Sequence, residues 1–116
     1  MEMRTTWRLL TITEGSEMPE PTPIHPGEIL REEFLAPLGI SQNEAARALD
    51  VPTHRVNEIV RGRRRVTTDT ALRLAKYLDT SPEFWINLQT RYDLDASAAN
   101  GETERILRSV RPRTRA

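Results

Sequence analysis

Residues 41–60 read SQNEAARALDVPTHRVNEIV, and the spacing inside this stretch decides the fold. Gln42, Ala46, Asp50, Val51, Val56 and Ile59 fall at offsets of 0, +4, +8, +9, +14 and +17. Those offsets suit two short helices that cross through a tight turn, a helix-turn-helix. Ala46 is small where the helices cross. Asp50 falls in the turn, where φ is often positive; Gly is usual there, and Asp is among the better-tolerated alternatives. Val51, Val56 and Ile59 supply the apolar contacts that pack the second helix on the first. Ser41 is an N-cap for the first helix, and Glu44, three residues on, completes a capping box. Pro52 and Thr53 start the second helix, and Gly62 ends it. Thr53, His54, Arg55 and Asn57 are then left exposed at its start. Such a surface suits a DNA major groove: Asn pairs bidentately with adenine, Arg with guanine, and Thr meets either base type.

Apolar spacing of this kind also occurs in helical hairpins without that role, so the flanking sequence matters. RGRRR follows at residues 61–65, four arginines in five residues. The chain as a whole carries 17 basic and 17 acidic residues and no net charge. The charges are unevenly placed: residues 1–50 hold four arginines against nine acids, residues 51–116 thirteen basic residues against eight acids. Charge blocks can give one face an anion-attracting potential in a neutral molecule. A solvated turn is the plain account of RGRRR. Its place directly after the groove-facing helix makes Arg61 and Arg63, with Arg65 beside them, the expected phosphate contacts; Arg64 is expected to face water.

The rest of the chain fits one all-α domain of five short helices. Pro26 suits a first helical turn, and Ile29, Leu30 and Phe34 form an apolar stripe ending near Pro37 and Gly39. After RGRRR, Thr67 or Thr68 caps DTALRLAKYL, with Ala71, Leu74, Ala75 and Leu78 on one face. Ser81-Pro82-Glu83 opens EFWINLQTRYDL with a cap, a first-turn proline and a dipole-favoured acid. On this last helix Phe84 and Leu88 are expected in the core. Trp85 and Tyr92 are candidates for a dimer seam, because amphipathic rings favour interfaces. The compact domain is thus expected over residues 26–95. Residues 1–25, rich in proline and acids, read as a flexible leader, and Met18 is a candidate true start. TTWRLLTIT within the leader has weak strand character. Residues 96–116 form a basic extension in which Thr103 caps a short helix over 103–110.

Composition narrows the function classes. With 37% hydrophobic and 29% charged residues in 116, the chain is one small globular domain. No apolar run is long enough for a membrane span, and no signal-peptide pattern stands at the start. Cysteine is absent, so disulfides and thiolate metal sites are excluded and a cytoplasmic setting is expected. His25 and His54 are the only histidines and lack metal-ligand spacing, so no metal or other cofactor is expected. Glu32 and Glu33 are adjacent on a helix and project in different directions, which denies them a facing acid–base pair. No catalytic constellation is present.

The stretch from about His25 to Leu94 resembles the HigA (VapI-like) antitoxins of the XRE helix-turn-helix superfamily. The blocks HPGEIL, RVNEIVRGRRRVTTDTALRLA and SPEFWINLQTRYDL carry the resemblance, in that order. It implies a homodimer that binds a palindromic operator in its own operon. It also implies a partner toxin of the HigB type, an RelE-like mRNA endonuclease, which the antitoxin neutralises. By resemblance Gln42, Thr53, His54, Arg55 and Asn57 lie at DNA-reading positions, Gln42 toward the backbone, with Arg61 and Arg63 as backbone contacts. The leader and the basic tail fall outside the resemblance. Two alternatives stand beside it: a stand-alone XRE regulator with no toxin, and a helical module that binds only protein.

Overall fold

A computed structural model of the chain describes residues 22–114; the expectations for the leader before residue 22 lie outside these. The described residues form helices and no strand. Helix α1 is composite, α-helical over Pro26–Ile29, π-helical over Leu30–Leu35 and α-helical again over Ala36–Leu38. It is followed by α2 (Gln42–Leu49), α3 (Thr53–Val60), α4 (Thr68–Leu78), α5 (Pro82–Ala99) and α6 (Glu102–Ser109).

The π segment moves the buried face of α1. Ala36 N–H reaches back five residues to the Arg31 carbonyl, not four. Leu30 therefore shares its inward face with Leu35, and both are buried, while Phe34 is only partly covered. The wider register lies just ahead of Pro37, whose ring would otherwise meet a carbonyl of the preceding turn. Periodicity of 3.6 residues pointed to Phe34; the extra residue in the turn explains the difference.

Four helix ends close in the same way. After α1, α2, α3 and α4 the chain turns left-handed at Gly39, Asp50, Gly62 and Asp79, with φ of 67°, 59°, 76° and 58°. In each case the next amide bonds back to the carbonyl five residues earlier: Ile40 to Leu35, Val51 to Ala46, Arg63 to Glu58 and Thr80 to Ala75. This is the Schellman arrangement, and it satisfies carbonyls the helix leaves orphaned. The opposite ends are capped by side chains. Ser41, Thr67 and Ser81 accept from the amides of Glu44, Thr70 and Phe84. Short connections set by these caps leave the helices little freedom in direction.

The core joins Leu30 and Leu35 of α1, Ala45, Ala46 and Leu49 of α2, Val56 and Ile59 of α3, Val66, Ala71 and Leu74 of the α4 region, and Trp85 of α5. Trp85 has no exposed surface, and its indole N–H donates to Thr80 Oγ1 at 2.8 Å. The expectation that Trp85 lies at a dimer seam is therefore corrected. Its ring is enclosed by Phe34 and Phe84, and no face remains for a partner. Phe84, expected inside, is 37% exposed and packs edge-on against Trp85. Leu88 is partly buried against the core, as expected. Gly27 marks the closest approach between α1 and α3, since a Cβ there would overlap the Ile59 carbonyl.

The C-terminal region departs most from expectation. Helix α5 runs on to Ala99, past residue 95, and Gly101 (φ 86°) turns the chain into α6. Gly101, not Thr103, holds the N-cap position of α6, where the Glu102 amide donates to Asn100 Oδ1. Thr103 instead shares a 2.7 Å hydrogen bond with Ser97 on α5.

Candidate nucleic-acid interface

Helix α3 is held by its buried stripe, Val56 and Ile59, and by the Val51 contact at its entry. Residues on the other side follow the i, i+3, i+4, i+7 spacing: His54, Asn57, Glu58 and Arg61. Thr53 and His54 are exposed at the start of the helix, and Asn57 and Glu58 are half-buried. The Asn57 amide donates from Nδ2 to Gln42 Oε1 at 3.1 Å. That bond ties the first residue of α2 to the middle of α3 and orients both amides. The remaining Asn57 N–H and its Oδ1 stay available for a base edge.

Arg55 is not a free side chain. Its Nη1 donates to Asp69 Oδ2 at 3.1 Å, and the same oxygen accepts from Arg73 Nε at 2.9 Å. Arg73 also donates to the Leu49 and Asp50 carbonyls at 2.8 and 3.3 Å, so it closes the end of α2 from outside. The Asp69 carboxyl is held below its ordinary pKa, first by the hydrogen bond from Arg73 and further by Arg55. Arg73 is raised by the same partner.

The basic loop divides into two pairs. Arg61 and Arg63 are exposed, and neither guanidinium has a partner among the described residues. Arg64, expected to face water, is exposed, and its guanidinium also donates to Glu58 at 2.7 Å. Arg65, expected at a DNA phosphate, is exposed and paired with an acid. Both of its terminal nitrogens face the Asp93 carboxylate, at 3.0 and 3.5 Å. The pair anchors the loop to α5. Gln89 completes the anchor. It is buried, accepts the Val66 amide at 2.7 Å and donates to Asp93 at 2.9 Å.

Beneath the loop sits His25. Its Nδ1 accepts the Gly27 amide at 2.9 Å, which makes it the N-cap of α1. The ring lies edge-on to Tyr92 at 4.9 Å, and a Cβ added at Gly62 would meet it at 3.6 Å. Burial holds the His25 pKa below its ordinary value, against the opposing pull of Asp93 and the Arg64 backbone; Arg65 adds to the lowering.

The sequence reading thus placed Thr53, His54, Asn57, Arg61 and Arg63 where they share one exposed region. It missed Glu58, Asp69, Arg73, Gln89 and Asp93, which hold Arg55, Arg64 and Arg65 directly or through one another. Three of these left local signals. Asp69 and Arg73 are spaced i, i+4, and Gln89 is a polar residue one turn after Trp85 on the inward stripe of α5.

Known proteins match this arrangement. The helix-turn-helix family model fits residues 30–85. Virulence-associated protein I of Dichelobacter nodosus is 48% identical over 92 residues, covering 79% of this chain and 82% of that protein. The Pseudomonas aeruginosa antitoxin HigA, solved with the higBA promoter, superposes with a TM-score of 0.72 at 50% identity, over 80% of this chain and 100% of that one. The antitoxin GraA, solved in complex with its operator, gives a TM-score of 0.76 at 47% identity, over 85% and 99% of the two chains. On sequence and fold together, the chain belongs to the helix-turn-helix family of HigA and VapI-like antitoxins.

Proposed function

We propose that the protein is the antitoxin of a toxin–antitoxin pair and represses its own operon by binding a palindromic operator as a homodimer. One observation carries the DNA part of this reading. Arg61 and Arg63 stand exposed, without a partner among the described residues, at the end of a helix whose outer stripe is His54, Asn57 and Arg61, while their neighbours Arg64 and Arg65 are paired with acids. Thr53, His54, Arg55 and Asn57 read base edges in the major groove, and Gln42, Arg61 and Arg63 set the register on the backbone. Two protomers place their α3 helices about 34 Å apart, one turn of the duplex, or a multiple of it.

The seam between protomers lies on the C-terminal side of each domain. Helix α6 packs on α5, and Leu94, Ile106, Leu107 and Val110 are left exposed there. Exposed apolar residues of this kind are the ordinary mark of a self-association surface, whereas Tyr92, two residues before Leu94, turns to another face of α5 and packs on His25. The toxin is a HigB-type, RelE-like mRNA endonuclease, in keeping with membership of the antitoxin family.

Co-expression with the neighbouring reading frame tests the toxin part. Growth arrest by the neighbour alone, relief by this chain, and co-purification of the two are expected. A neighbour that is harmless and does not co-purify, with the promoter still bound, would make the protein a stand-alone regulator. Co-purification without any promoter binding would leave a protein-interaction module.

A further inference from the structure

We infer that Asp69, which lies outside the recognition helix, is a positioning residue for the DNA contact of Arg55 and thereby a determinant of base specificity. The inference rests on the reading of α3 as the groove-facing helix. A continuous set of bonds supports it. The Leu49 and Asp50 carbonyls, at the turn of the motif, accept from Arg73 Nη1. Arg73 Nε in turn donates to Asp69 Oδ2, and that oxygen accepts from Arg55 Nη1 on α3. The bonds leave the motif at its turn, cross to α4, and return to the start of the helix that meets DNA.

Asp69 stands in the first turn of α4, one helical turn before Arg73, so the two side chains share a face. Three acceptors hold Arg73, and Arg73 holds Asp69. The carboxylate is thus a fixed acceptor, and it gives the long Arg55 side chain one preferred orientation. Only Nη1 of Arg55 is used. Its Nε and Nη2 have no partner among the described residues, and this edge of the guanidinium presents the two parallel donors that match O6 and N7 of guanine. Ordering a side chain before contact removes an entropic cost from the bound state. The carboxylate also acts in the opposite direction on random sequence. A negative charge beside the phosphates disfavours complexes in which Arg55 gains no base contact, so discrimination rises from both sides.

The test compares wild type, Asp69→Asn, Asp69→Glu, Arg55→Ala and the Asp69→Asn/Arg55→Ala double variant. Each is titrated with the promoter of its own operon, with single-base-pair substitutions across the half-site, and with random duplex, and its Tm is recorded. Arg55→Ala is expected to abolish preference at one base pair per half-site. Asp69→Asn is expected to weaken preference at that same base pair on the order of tenfold. Its affinity for random duplex should stay level or rise, and the double variant should be no worse than Arg55→Ala alone. Asp69→Glu should retain more of the preference than Asp69→Asn. An unchanged base profile in Asp69→Asn, additive losses in the double variant, or a parallel fall in both affinities together with Tm would overturn the inference. If wild type itself fails to distinguish promoter from random duplex, the groove-facing reading of α3 falls, and the role of Asp69 with it.

Discussion

At Gly27 the absence of one methyl group decides how α1 meets α3. Its Cα faces the backbone of Ile59 and Val60, and backbone cannot swing aside as a side chain can. Gly27→Ala is expected to lower stability by about 1–3 kcal/mol or more. Urea unfolding checks this, and an unchanged midpoint would contradict the close approach. His25, two residues earlier, accepts the Gly27 amide and is partly enclosed by Tyr92 and Gly62. Its folded-state pKa lies below the unfolded value of 6.5 because burial disfavours the charged ring. The unfolded chain therefore takes up the proton first. The contribution of His25 to stability is complete above pH 6.5 and is lost as pH falls through the lower folded value. Asp93 and the Arg64 backbone oppose the lowering and Arg65 reinforces it, so Asp93→Asn should deepen the loss. His25→Asn keeps a side-chain acceptor for the Gly27 amide but does not titrate. Its Tm should fall less than that of wild type as pH is lowered from 6.5. Equal slopes in the two proteins would rule out His25 as the titrating group.

At the scale of elements, the helix ends were the most legible feature of the sequence. Ser41, Thr67 and Ser81 sit before their helices, and Gly39, Asp50 and Gly62 after theirs, because capping is a contact between near neighbours. What joins distant elements left no comparable mark. The partners Gln89 and Val66 are 23 residues apart, and Arg73 and Leu49 are 24 apart. Periodicity sees only one helix at a time. The same limit explains Phe84 and Trp85, consecutive residues that periodicity cannot rank as inner and outer without knowing where α1 crosses. It explains Leu35 as well, since a π turn shifts the face by one residue. Helix α6 is the element whose role rests most on its surface. Its Ile106 and Leu107 are 42% and 68% exposed. Wild type is expected to sediment as a dimer, and replacing both with Asp is expected to give a monomer in sedimentation equilibrium while leaving the helical circular dichroism in place. A variant that remains dimeric would move the seam elsewhere.

Across the whole molecule, zero net charge conceals a division of labour among arginines. Arg55, Arg64, Arg65 and Arg73 are paired with Asp69, Glu58 and Asp93, and exposed pairs of this kind contribute little to stability. The pairs of Arg64 and Arg65 fix the loop from which Arg61 and Arg63 project. The fold class and the exposed residues of α3 could be read from spacing and caps. Which arginines are free could not, because the acids that bind the others lie on α3, α4 and α5. The most direct measurement is the salt dependence of binding to the promoter of the protein's own operon and to random duplex, for wild type and for Arg61→Ala/Arg63→Ala. Wild type should prefer the promoter by roughly 1,000-fold or more. The double variant should weaken on both duplexes alike, with the slope of log K against log salt reduced by about 1.8, or about 0.9 for each phosphate no longer neutralised. Equal affinity of wild type for the two duplexes, or an unchanged slope in the variant, would contradict the assignment of this face to DNA.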